Sequence, residues 1–424
     1  MMQMNIFFLF LIATLIPFVK GSGEEGIFLT LKQAEDAAIE RNYQLNASLH
    51  KLQQGYLGYK ASRAYFLPKV TASANLEGTN NSSDGAQSAI QLTQPLFDRV
   101  AIYNYKEAQI QWEILRLDTR LQICNLLYQV RNAYHTVLLH QAHLAIDKMI
   151  IQLWEDEVKR HERHLQVGAG IPYELNQAKL HLNGAWIDYY STQTDIKSSQ
   201  ISLLTILGLD PISKVVLTDT EISFPPVTNP QCVFEKWKET AFQYRPQLKQ
   251  QQFSFLLSQN KVYQTNSEKL PTVNFFINAG HNYVYNGFTQ RPNVGAGFSL
   301  DWTIFDPTIR PRLKQAKAGQ SEAAANYFQE ELETEAVIFD KLNEIEKLKL
   351  AYRAAEEGAA LANESMQMAT KKHELGLMSS FEYRDAIKSQ HQAQQQVNQA
   401  QFDLRNAYDE LVKESGYDFS CPSK

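Results

Sequence analysis

The residues best suited to chemistry fall in three groups. His161 and His164 stand three apart near the end of a long helical stretch, a spacing that could offer two metal ligands, but no cysteine or paired carboxylate completes a site. His135, His140 and His143 share that stretch, and Glu155, Asp156 and Glu157 form a charge run on it; both read as the wet face of a helix. Glu382 and Asp385 lie on one helix face at i and i+3, and on spacing alone they are solvated carboxylates favoured by the positive end of a helix dipole. G-x-S-x-G, P-loop and H-E-x-x-H patterns do not occur, so no catalysis, cofactor or nucleotide binding is expected. A net charge of −5 without basic clusters excludes nucleic acid as a partner. Three cysteines, Cys124, Cys232 and Cys421, are too few for a disulfide framework.

The elements around these residues are more telling. The 72 residues from Leu96 to Val167 contain neither Pro nor Gly. Ile123, Val130, Val137, Leu144, Ile151, Val158 and Leu165 recur every seven residues, the period of a supercoiled seam. A second apolar line, Ile110, Ile114, Leu117, Leu121 and Cys124, lies off that seam, so the helix wants two neighbours. At 1.5 Å per residue it would be about 108 Å long. This is a tube or rod with no globular core.

Before it, Leu31 to Phe66 reads as one helix stopped at Leu67-Pro68. Val70 to Glu77 and Ser88 to Leu96 then alternate apolar and polar residues across a turn-rich loop, and the long helix starts at Asp98 as N-cap. It ends at Gly168, and a helix from Tyr173 to Leu207 follows to Gly208. The two shorter helices together match the long one, so stacked end to end they could lie along it. The linker 209–231, with its Pro225-Pro226, would then cross the waist, and the Gly168 and Gly376 turns would sit farthest from the hairpins.

The second half repeats this order. Asn42-Tyr43-Gln44-Leu45 matches Arg245-Pro246-Gln247-Leu248, and Leu67-Pro68 matches Leu270-Pro271, at an offset of 203. Phe97-Asp98 matches Phe305-Asp306, Gly168 matches Gly376, and Gly208 matches Gly416, at 208. This predicts an internal duplication: 24–208, the linker 209–231, then 232–416 with a hairpin over 272–304 and a tail 417–424. Residues 1–23 read as a cleaved secretory signal peptide. No later apolar run reaches 18 residues, so membrane insertion must use strands. Four strands cannot close a barrel, so several chains must share one, their number open. Tyr283, Tyr285 and Phe288 read as an interfacial aromatic belt or as turn-packing rings.

Gln94-Pro95-Leu96-Phe97-Asp98 opening a long helix, Val167-Gly168 with Tyr173-Glu174, and their second copies Trp302 to Asp306 and Leu375-Gly376 with Phe381-Glu382, resemble the TolC-like outer membrane efflux protein family. The likeness runs from about Leu29 to Gly416. It implies a mostly helical fold: a homotrimer whose coiled-coil helices form an α-barrel tunnel through the periplasm, joined to a shared 12-stranded β-barrel in the outer membrane. It also implies a passive export duct for efflux or type I secretion, partnered by a periplasmic adaptor and an inner-membrane pump of RND or ABC type. The family's acidic pore aperture maps onto Glu382 and Asp385, with Glu174 as the first-copy counterpart of Glu382 and Gln177 in place of the second acid. Met378 stands where some members carry a basic latch residue. The rival reading is a fibrous coiled-coil adhesin or envelope spacer, which leaves two amphipathic hairpins unexplained.

Overall fold

The computed structural model describes residues 27–77, 85–219, 230–284 and 291–416. The expected signal peptide, Pro225-Pro226, Tyr285, Phe288 and the C-terminal tail lie outside these, as does the side chain of Tyr283. The first half runs β1 (Ile27–Leu29), α1 (Leu31–Arg41), α2 (Tyr43–Ala64), β2 (Lys69–Glu77), β3 (Gly85–Phe97), α3 (Arg99–Gln166) and α4 (Pro172–Ile206). After β4 (Val215–Leu217) the second half repeats the order with α5 (Pro230–Tyr244), α6 (Pro246–Ser267), β5 (Thr272–Val284), β6 (Arg291–Asp301), α7 (Ile309–Glu374) and α8 (Ser380–Ser415). No helix among the described residues is long and apolar enough to cross a membrane.

The long helix α3 is capped by Asp98, whose side chain accepts from the Ala101 N–H at 2.9 Å. It packs against α2, α4, α6 and α8, while α7 packs against α5, α6 and α8. The seven-residue seam is buried in its middle, where Val130 and Val137 are fully enclosed, and opens toward the end, where Leu165 is exposed.

The expected single helix over 31–66 is two. Asn42 leaves the helical region at ψ 121°, closes α1 and caps α2 by accepting from the Leu45 N–H at 2.9 Å. Its amide also donates to the Ile206 carbonyl at 2.9 Å, which joins the α1–α2 break to the end of α4. Gly208, at φ +67°, lies so close to the Arg41 carbonyl that a Cβ would approach it to 2.7 Å. Gly416 meets the Tyr244 carbonyl in the same way at the end of α8. Short helices therefore abut at mid-length along each long one.

The largest core sits at this waist. Leu29, Ala34, Ala38, Leu45, Val130, Tyr134, Leu203, Leu207, Val215 and Leu217 form it. The linker contributes through β4, which pairs in parallel with β1. Tyr134 donates to Asp219 at 2.7 Å and reaches the Leu29 carbonyl at 3.2 Å. Beside it a buried ionic network crosses three helices: Arg131 binds Glu35 at 2.5 Å and Asp409 at 3.1 Å, and Arg405 binds Asp409 at 3.2 Å. His135 lies in this network rather than on a wet face, and burial, with Arg405 and Arg131 nearby, pushes it down to about 4 despite Asp409.

At the other end of α3 the two hairpins form one antiparallel sheet, β2-β3-β5-β6. Its register puts Val70 beside Leu92, Leu92 beside Ile277, and Ile277 beside Ala296. Val273, Phe275, Val294, Phe298 and Leu300 continue the same face. Thr71, Gln91, Asn278 and Gly295 share the other. The apolar face is exposed: Val70, Ile90, Val294, Phe298 and Leu300 are all more than half accessible. The predicted hairpin over 272–304 is shorter, since β6 ends at Asp301 and the Trp302 indole instead donates to the Lys269 carbonyl at 3.0 Å.

Candidate functional site: the helical tip

The α3–α4 and α7–α8 turns close the end of the molecule about 100 Å from the sheet along α3. Each needs a left-handed residue, supplied by Gly168 at φ +74° and Gly376 at φ +68°. The next amides donate back to the helix ends, Ala169 to His164 at 3.0 Å and Leu377 to Lys372 at 2.8 Å. Val167, Ile171, Tyr173, Leu375, Leu377 and Phe381 are exposed around these turns.

Glu382 begins α8 in a capping box with Ser379. It accepts from the Ser379 N–H at 3.0 Å and hydroxyl at 2.9 Å, and its own N–H donates to the hydroxyl at 3.2 Å. Those bonds from the Ser379 backbone and hydroxyl hold its carboxyl below the usual range. Asp385 is exposed one turn later on the same face. Glu174 opens α4 and lies 3.6 Å from His161 Nδ1, so it belongs to a different constellation from Glu382.

That constellation corrects the reading of the histidines and of the acid run as solvated surface. Asp156 is exposed, but Glu157 is only 3% exposed. One of its oxygens is 3.0 Å from both His161 Nε2 and His373 Nε2, and the other accepts from Arg160 at 2.6 Å. His373 Nδ1 lies 3.4 Å from the Met378 carbonyl, and its ring stacks on Tyr383 at 4.1 Å. His164 is exposed and takes no part. The missed signal lies in spacing: Ile146, Ile150, Trp154, Glu157 and His161 follow at steps of 4, 4, 3 and 4, so Glu157 occupies a seam position. The same seam carries Asp147, which accepts from Thr192 on α4 at 2.7 Å and lies 3.0 Å from His391 on α8. Burial opposes its charge, but those two partners outweigh burial and hold its carboxyl below the usual range.

A sheet with an exposed apolar face, on a hundred-ångström helical shaft ending in glycine turns, defines a class of long helical rod tipped by an amphipathic sheet. The outer membrane efflux protein family pattern matches residues 35–209 and 237–416, and the chain belongs to that family. Its place is accordingly the outer membrane. The chain is 21% identical over 402 residues to the toluene efflux pump outer membrane protein TtgC of Pseudomonas putida, covering 86% of this chain and 78% of that one. The antibiotic efflux pump outer membrane protein ArpC of Pseudomonas putida matches to the same extent. Among solved structures, the outer-membrane channel OprN superposes with a TM-score of 0.77 at 17% identity, over 92% of this chain and 90% of that one. The Campylobacter jejuni CmeC outer membrane channel gives 0.75 at 16%, over 92% and 86%.

Proposed function

We propose that three copies of the chain form a passive exit duct for a tripartite efflux or type I secretion system, a reading carried by the outward apolar face of the four-stranded sheet. Strands of 9 to 13 residues match the reach needed to cross a hydrocarbon core. Within one chain β2 and β6 end the sheet, and an open edge is not tolerated in lipid. Three sheets joined edge to edge would give twelve strands and close the barrel, with lipid outside and water within. The helical half makes the same demand. Tyr173, Leu180, Ile187, Thr194 and Ile201 recur every seven residues on α4 and are exposed, a coiled-coil seam that a second copy would cover.

Repeats 24–208 and 232–416, joined by the linker, would each supply half of a subunit's barrel and tunnel walls. The tip turns at Gly168 and Gly376 would meet a periplasmic adaptor, and an inner-membrane pump of RND or ABC type would supply the energy. The named relatives are outer membrane proteins of a toluene efflux pump and an antibiotic efflux pump, which supports efflux as the task. Glu382 and Asp385, with Glu174 outside them, would form acidic rings at the aperture that favour cations.

Planar-bilayer conductance of the detergent-extracted protein tests this. The wild type is expected to give a small cation-selective conductance, and Glu382→Ala/Asp385→Ala to lose the selectivity or conduct more. Conductance indifferent to the pair would move the aperture elsewhere. A folded trimer that never conducts would sink the duct and favour a structural spacer.

A further inference from the structure

Beneath the tip, one carboxylate joins helices from both halves of the chain. Glu157 on α3 offers a single oxygen to His161 of its own helix and to His373 in the last turn of α7, three residues before Gly376. Both rings can donate Nε2–H to it while neutral. With Arg160 on the second oxygen, Glu157 already has a positive partner. A proton added to His373 puts a charge in a place with little water.

The groups facing His373 and its neighbour His161 come from four elements. From α3 these are Glu157, Arg160 and His161; from the α7–α8 turn, the Met378 carbonyl; from α8, Tyr383. From α4, Glu174 faces His161 at 3.6 Å and is partly exposed, so water weakens its pull. Tyr383, stacked on His373, already has the Arg160 guanidinium 5.7 Å from its ring centre. Only Glu157 and the Met378 carbonyl, at a long 3.4 Å, would welcome a charge on His373.

We infer that Glu157 and His373 form an acid-released latch: the neutral His373 ring pins the last turn of α7 to α3, and its protonation frees the tip. The inference rests on the tip being the closed end of the duct. Its sign follows from burial first: burial, with Arg160 and His161, outweighs Glu157 and the Met378 carbonyl and lowers the proton affinity of His373 below the ordinary 6.5. A loosened tip returns the ring to water and to that ordinary value. The packed tip therefore binds fewer protons than the loosened one. It is favoured above about pH 6.5 and gives way as the pH falls below it.

Hydrogen exchange in residues 370–383 of the full-length protein in detergent, corrected for intrinsic rates, reads the latch directly. Between about pH 7.5 and pH 5.5 the wild type is expected to lose severalfold in protection there, while the rest of the chain keeps its own. His373→Gln keeps one N–H for Glu157 but cannot gain a charge, so its protection should not change with pH. Unchanged wild-type protection, or a full acid response in His373→Gln, overturns the latch. If that variant does not fold, the wild-type profile decides: loss confined to 370–383 supports the latch, and uniform loss overturns it. Conductance separates this from the duct itself, since a conducting protein without acid response at the tip loses the latch and keeps the duct. An acid-responsive tip in a protein that never conducts does the reverse.

Discussion

Asp409 shows how few side chains hold long helices in register. It is 3% exposed and binds Arg131 of α3 and Arg405 of its own helix, while Arg131 also reaches Glu35 of α1. Removing the shared carboxylate leaves two guanidinium groups buried with one acid between them. Asp409→Ala is expected to cost about 3–5 kcal/mol, the range for breaking a buried pair from one side. Denaturant unfolding in detergent would measure it, and a loss below about 1 kcal/mol would mean that water replaces the carboxylate. At this scale the sequence misleads in a specific way. Glu157 follows two other acids, and a charge run is usually solvated, yet its step from Trp154 places it in the seam. Chemical type argued for the surface, and periodicity argued for burial.

Among elements, periodicity is what makes a helix legible. The span of α3 follows from a stretch free of Pro and Gly between Asp98 and Gly168, with a heptad seam along its later part, and the strands follow from alternation. The break at Asn42 has no Pro or Gly to announce it; it exists because the end of α4 offers the Ile206 carbonyl, a tertiary contact. The ribbon of β1 and β4 is three residues on each side, too short to leave a pattern. Capping glycines also differ in a way that φ alone hides. Gly168 has open space where a Cβ would stand, whereas at Gly208 it would press on the Arg41 carbonyl. Gly168→Ala should cost about 1–2 kcal/mol, the strain of a left-handed alanine. Gly208→Ala should cost clearly more, because backbone must also move. Equal losses in thermal unfolding would show that the waist yields.

For the whole molecule, the question is what covers its remaining apolar faces. The sheet turns Val70, Ile90, Val294, Phe298 and Leu300 outward at one end, and α4 turns Tyr173, Leu180 and Ile187 outward along the shaft. Only the first suits lipid, because α4 lies beside a shaft that runs far beyond a bilayer's thickness. Leu180→Glu/Ile187→Glu is therefore expected to convert the proposed trimer to monomer in detergent, with helix content preserved, as read by light scattering and circular dichroism. A trimer that survives both charges would assign that seam to another partner.

The unbroken α3 makes the molecule a lever. Its tightest packing, at Val130 and Val137, lies near the middle of a helix that joins the sheet to the tip without a joint. With the fulcrum at the waist each arm is roughly 50 Å, so a tilt of about 5° sweeps the far end by about 4 Å, the width of a side chain. Slack of well under an ångström one turn from the fulcrum is magnified roughly tenfold at the free end. The position of the tip thus depends on packing some 50 Å away, and a lost methyl group at Val137 would be felt there first.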